Sequence, residues 1–181
     1  MKLFSCQGCG QLLYFENIRC ESCGRALGYL TDLTEISALD VKPEGGFEVL
    51  AAPGKAYKFC HNYDAGMCNW MLPADSPEEF CAACRHNRTV PDLSVSGNDA
   101  LLRKLETAKH RLFYSLLRLG LPLENRTDNP ERGLAFDFLA DPPESHAAGV
   151  MTGHDNGLIT LAIREADDAV REKVRGEMGE P

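Results

Sequence analysis

The chain has 181 residues, a hydrophobic content of 44% and a formal net charge of -8. No stretch approaches the roughly 18 to 20 apolar residues of a membrane span, and Met-Lys-Leu-Phe-Ser has no apolar run like that of a signal peptide. Residues 1–95 carry 8 basic and 12 acidic side chains and residues 96–181 carry 11 and 15, so neither half is basic and a nucleic-acid partner is disfavoured. The reading is of a cytoplasmic protein in a reducing compartment, where grouped cysteines bind metal more often than they form disulfides.

Four of the eight cysteines open the chain in "CQGCGQLLYFENIRCESCG", as the pairs Cys6/Cys9 and Cys20/Cys23. Two residues inside each pair let a tight turn aim both thiolates at one ion. Gly10 and Gly24 stand where such a turn calls for positive φ. The ten intervening residues suit two short strands, "QLLYF" supplying the first. A thioredoxin-like redox pair needs a βαβ context that is missing here. Four soft thiolates at this spacing select zinc, held tetrahedrally at about 2.3 Å.

Residues 31–58 read as a connector with a strand or two, "FEVLAA" and "KAYKF" flanking Pro53-Gly54 like a loose hairpin. The remaining cysteines follow in "FCHNYDAGMCNWMLPADSPEEFCAAC": Cys60, Cys68, Cys81 and Cys84. The turn chemistry of "YDAG" lets the wide first pair converge on a second zinc. Loop-closure entropy favours two sequential cages over a cross-braced arrangement, because 36 residues separate Cys23 from Cys60. His61 and His86 lie near ligands, but four thiolates already fill the shell, so both are expected beside it or facing solvent. The expected cofactor is two structural Zn²⁺ ions, and closed shells leave no open position for water or substrate.

"RHNRTVPDLSVSGND" reads as a linker. Leu101, Leu105, Ala108, Leu112, Leu116 and Leu119 then step by three or four, with Leu102, Phe113 and Leu117 widening the stripe, giving an amphipathic helix from about Asn98 to Leu119. Arg103, Glu106, His110 and Arg111 fall on its polar face. Alternation at Leu134, Phe136 and Phe138 gives a strand, "DPPESHAAG" a loop, and "VMTGHDNGLITLAI" a β-hairpin turning at Asp155-Asn156-Gly157. A closing helix is expected from about Glu165 to Met178, acids first and bases later. His146 and His154 lie eight apart in a loop and a turn, which preforms no metal site. No H-E-x-x-H, G-x-S-x-G or phosphate-binding glycine loop occurs, so no catalytic residue is assigned.

The expected class is therefore α+β: tandem zinc-ribbon-like units, then a small domain of helix and antiparallel sheet. The boundaries are 1–30 for the first ribbon, 31–58 for the connector, 59–95 for the second unit and linker, and 96–181 for the α+β domain. Over its whole length the chain resembles the N-terminal part of bacterial zinc-binding metallopeptidases with an N-terminal zinc ribbon. The stretches that carry the resemblance are "FSCQGCGQLLYFENIRCESCGRALGY", "FCAACRHNRTVPDLS", "KHRLFYSLLRLGLPL", "GLAFDFLAD" and "TGHDNGLITLAIREAD". The resemblance implies a zincin-like hydrolase whose catalytic helix, H-E-x-G-H with a third zinc, belongs to a longer chain. It implies an incomplete zincin-like domain here, no hydrolysis by these 181 residues, and a protein or peptide as substrate or partner. Self-association through an uncovered sheet face is a further expectation. A non-enzymatic protein-interaction module is the alternative.

Overall fold

The computed structural model describes residues 2–43, 45–142 and 149–179. The expectations for "DPPESHAAG" and for His146 fall largely outside these residues. The chain divides into two compact units, Met1–Cys84 with Phe113–Leu121, and Arg85–Leu112 with Pro122–Pro181. The fold is α+β, with two helices of eight or more residues among the described residues.

The first unit begins with a two-residue antiparallel ladder, β1 (Phe4–Ser5) against β2 (Leu12–Leu13), in register Phe4↔Leu13. Phe4 and Leu13 therefore share one face, and both are buried. The region expected as a connector is richer than a strand or two. β3 (Leu27–Leu30), β4 (Glu35–Val41), β5 (Phe47–Val49), β6 (Tyr57–Phe59) and β7 (Trp70–Pro73) form a five-stranded sheet in the order β5-β4-β3-β7-β6. The loose hairpin across Pro53-Gly54 does not form: β5 pairs with β4, and β6 with β7. Phe47 and Phe59 nevertheless meet edge-to-face at 5.4 Å, so packing brings together what the ladder does not. Leu30, Leu39, Val49, Ala52 and Met71 make one apolar cluster of this sheet. A second is aromatic, with ring centroids 5.2 Å apart for Phe15–Tyr29, 4.6 Å for Tyr29–Trp70 and 4.8 Å for Phe15–Tyr114. Such ring pairs add to the area they bury.

The second unit is built on a sheet of order β10-β11-β9-β8. Its strands are β8 (Asn87–Thr89), β9 (Ala135–Leu139), β10 (Gly153–Asp155) and β11 (Leu158–Ala162). The expected antiparallel arrangement holds for β10–β11, but β8–β9 and β9–β11 are parallel. Parallel neighbours require a long crossover. Between β8 and β9 the chain supplies it with helix α1, Asn98–Arg118. Part of the segment expected as linker is thus strand β8. The β10–β11 turn is as expected, with Asn156 and Gly157 both at positive φ, the conformation an Asn-Gly hairpin needs. Helix α2 (Asp168–Met178) is capped by the Asp167 carboxylate, which accepts from the N–H groups of Ala169 and Val170. Residues Ile163–Ala166 before it form a short 3-10 turn.

Helix α1 matches its expected bounds within one residue but its expected face only in part. Leu102, Glu106, Lys109, His110, Phe113 and Tyr114 are buried, whereas Leu112 is 41% and Leu119 71% exposed. Glu106 and His110, read as solvated, are interior. In the second unit Glu106 is neutralised by Lys109, one turn away at 2.9 Å, and Asn87 Nδ2 donates to its Oε1 at 2.7 Å. Lys109 also lies within 6 Å of the rings of Phe136 and Phe138. Two opposite charges at i and i+3 cancel locally, which makes burial of the pair tolerable.

Candidate metal centres

Both four-cysteine groups expected from the sequence come together, each inside the first unit. In the first, Cys6 leaves β1 and its N–H bonds Gln11 O at 2.8 Å, while Gly10 N–H returns to Cys6 O. The second knuckle repeats this: Cys20 N–H bonds Arg25 O, and Gly24 N–H returns to Cys20 O. Gly10 and Gly24 have φ of 77° and 75°, a region that penalises any side chain. The two knuckles bring Cys6 and Cys23 to an Sγ–Sγ distance of 3.6 Å, and Cys9 and Cys20 also to 3.6 Å. In the second group Cys68 and Cys81 are 3.7 Å apart. All four sulfurs of each group lie within 4.8 Å of one another, and all eight are free of disulfides.

These distances decide between a covalent bridge and a cage. A disulfide needs sulfurs at about 2.05 Å. A tetrahedron with metal–sulfur bonds of about 2.3 Å has edges of about 3.8 Å. The observed spacing is that of the tetrahedron. Backbone N–H groups supply the remaining support: Trp70 to Cys68 Sγ at 3.3 Å, Cys81 to Cys60 Sγ and Cys84 to Cys81 Sγ, each at 3.4 Å. Burial pushes the Cys68 and Cys81 thiols well above their ordinary value, despite these neighbours. Four buried thiols cannot all ionise without a cation among them. The donor set therefore fits a thiophilic divalent ion and suits zinc.

The two cages differ in exposure. Cys60, Cys68, Cys81 and Cys84 are all buried, whereas Cys9 is exposed and Cys23 half-buried. At the first cage Cys6 is pushed up to about 12 by burial. Cys23 is drawn down to about 6, first by the N–H and then by the guanidinium of Arg25. Cys9 is lowered by the N–H of Gln11 and the hydroxyl of Ser22.

Sequence reasoning missed the residues that position this cage. Gln7 clamps its knuckle to β4, donating from Nε2 to Ile36 O at 2.9 Å and accepting at Oε1 from Ala38 N–H at 2.7 Å. Arg25, held by Asp40 at 2.6 Å, lies against Gly8, where an added Cβ would come within 2.6 Å of the guanidinium. Its place directly after "CESCG" was the available signal. Neither His61 nor His86 belongs to the four-sulfur groups. His61 is exposed and packs edge-to-face on Phe80. His86 is 1% exposed rather than solvent-facing, with Nδ1 3.0 Å from Leu134 O in the second unit. His154 is exposed on β10.

Residues 3–95 match the family model of a zinc-ribbon domain. The chain belongs to the zinc-ribbon family. Residues 98–181 match the model described as "Putative zinc-binding metallo-peptidase", so the two matches together run across nearly the whole chain. Uncharacterized proteins of Mycobacterium bovis and of two strains of Mycobacterium tuberculosis are 36% identical to it over all 181 residues. The chain spans 48% of the length of those curated relatives. No solved structure matches it. Zinc-ribbon membership and the two four-cysteine clusters agree on zinc binding. No helix among the described residues is long and apolar enough to cross a membrane.

Proposed function

We propose that these residues form the zinc-bound N-terminal part of a zinc-dependent peptidase, with one structural ion in each cage. The observation that carries the reading is the pairing of two closed sulfur shells with a second unit matching a metallo-peptidase family over residues 98–181. A zinc surrounded by four thiolates contributes folding energy and offers no site to a water. Cys6, Cys9, Cys20 and Cys23 hold the first ion, and Cys60, Cys68, Cys81 and Cys84 the second. Hydrolysis, with its third zinc, would then belong to the additional length present in the relatives. The 181 residues alone are expected to be inert.

In this reading the second unit serves the substrate. Strand β10 is an edge of its sheet, and all three of its residues are exposed. An extended peptide can add to such an edge through backbone hydrogen bonds. The net charge of -8 disfavours nucleic acid as the partner. A cytoplasmic setting would keep the eight thiols reduced.

One observation favours the non-enzymatic alternative. Beside the buried Phe4↔Leu13 pair, the opposite face of the β1–β2 ladder carries Leu3, Leu12 and Tyr14, which are 55%, 44% and 57% exposed. A protein partner could cover them. Both readings are tested by a quenched peptide library, presented to this chain and to a version extended to the length of its relatives. The peptidase reading expects chelator-sensitive cleavage by the long form only, with an H-E-x-x-H motif in its added segment. Inertness of both, without that motif, favours the interaction module. Chelator-sensitive cleavage by the 181 residues, surviving repurification, contradicts the placement of catalysis.

A further inference from the structure

The cages share ligand chemistry but not access. We propose that Cys9 is an oxidation site, through which peroxide-class oxidants convert the first cage, but not the second, from a zinc site into a Cys9–Cys20 disulfide. The inference rests on the zinc occupancy argued above.

Three features carry it. Cys9 is the one exposed ligand of the eight, and the whole second cage is buried. A small oxidant can therefore reach Cys9 Sγ without opening the fold, whereas the second cage must first open locally. Cys23, the other partly accessible ligand, is covered differently. The Arg25 guanidinium hydrogen-bonds its sulfur and is fixed by Asp40 at 2.6 Å. With that guanidinium beside a sulfur that is already half-buried, Cys23 offers an oxidant less surface than Cys9 does. The donors on Cys9 are the neutral N–H of Gln11 and hydroxyl of Ser22. The third feature is the resolving partner. Cys20 Sγ lies 3.6 Å from Cys9 Sγ, on the opposite knuckle.

The chemistry balances with hydrogen peroxide as the oxidant. The Cys9 thiolate attacks one peroxide oxygen, the O–O bond breaks, and hydroxide leaves, giving a sulfenic acid on Cys9. The Cys20 thiolate attacks that sulfur, the S–O bond breaks, and a second hydroxide leaves as the disulfide forms. Two electrons pass from the two sulfurs to the peroxide, and two protons from solvent turn the hydroxides into water. The cage is left with two of its four thiolates, Cys6 and Cys23. Two thiolates hold zinc far less well than four, so the ion passes to solvent or a chelator. A thiol reductant and fresh zinc restore the site, because the disulfide is reversible on this ladder.

The test uses the zinc-loaded chain with a chromogenic zinc chelator and hydrogen peroxide, followed by differential alkylation and peptide mass spectrometry. The expected result is release of one of two zinc equivalents, at least about ten-fold faster than the other. A Cys9–Cys20 link accompanies it, and Cys60, Cys68, Cys81 and Cys84 remain unmodified. Because Cys9→Ser could weaken the site outright, Arg25→Ala provides a second arm that keeps all eight ligands. In that variant Cys23 should become modified alongside Cys9, and first-site release should quicken. Simultaneous release of both ions, or modification of the second cage while Cys9 stays reduced, would overturn the proposal and leave zinc binding intact. A chain that carries no zinc before peroxide is added would overturn both.

Discussion

In the first cage one thiolate faces solvent and another is half-buried, while in the second all four are interior. The donor atoms are the same in both. What differs is the cost of losing the ion. An exposed thiol can regain water when zinc leaves. Cys68 and Cys81 cannot, since burial already disfavours their charged forms. The second cage is therefore expected to depend on its ion more than the first, where Cys6 and Cys20 are buried but Cys9 and Cys23 keep access to water.

The strongest way to break this comparison is to remove one ligand from each cage. Cys81→Ser places a poor zinc ligand at a fully buried position. Structural zinc contributes on the order of 10 kcal/mol in zinc-finger peptides, comparable with the entire stability of a small domain. Cooperative unfolding of the first unit should therefore be lost, as read by near-ultraviolet circular dichroism. Cys9→Ser should lower zinc affinity but retain that transition in excess zinc. Equal loss in the two variants would show that exposure does not distinguish the cages.

A smaller effect sharpens the rule that buried charge needs a partner, here without a metal. Lys109→Met leaves Glu106 buried and uncompensated, at a cost of about 3 to 5 kcal/mol in urea unfolding. Replacing both, as Glu106→Leu with Lys109→Met, should recover most of that loss. Additive losses in the double variant would contradict the pairing.

Smaller again is the Asp137–Arg88 pair, because Arg88 is itself half-exposed. The Arg88 guanidinium holds the Asp137 carboxyl below its ordinary value of 3.8. The carboxylate is therefore charged in the fold at pH values where the unfolded chain takes up a proton. Its contribution is complete above that ordinary value and is lost as pH falls through the lower, folded one. Arg88→Ala should lower stability slightly at pH 7, because solvent screens a half-exposed pair. It should also flatten the decline in stability below about pH 4. An unchanged acid limb would remove Asp137 from the account.

The smallest effect concerns what the sequence could convey. Both cages were legible because their ligands are close in the chain and their turns carry glycine at Gly10 and Gly24. The length of α1 was legible from its leucine spacing. Its buried face was legible only in part: Leu102 and Phe113 stood on the apolar stripe, but Glu106 and His110 read as polar and are interior. Leu119→Ser should accordingly shift stability by no more than about 0.5 kcal/mol. Phe113→Ala, the large-effect control at a fully buried position, should by contrast cost about 3 to 5 kcal/mol. The five-stranded sheet was hidden for another reason. β5 and β6 are three residues each, and β3 finds its parallel partner β7 some forty residues away, with Tyr29 opposite Trp70. Periodicity in a short window carries no record of such a pairing. Gln7 reaches Ile36 and Ala38 across 29 and 31 positions, separations that spacing rules do not encode.

Native mass spectrometry of the chain, purified without added metal, tests the central claim most directly. The account predicts a mass corresponding to two zinc ions on one chain, with all eight cysteines free of disulfides after acid release of the metal. A single zinc, with four thiols open to alkylation under native conditions, would contradict it.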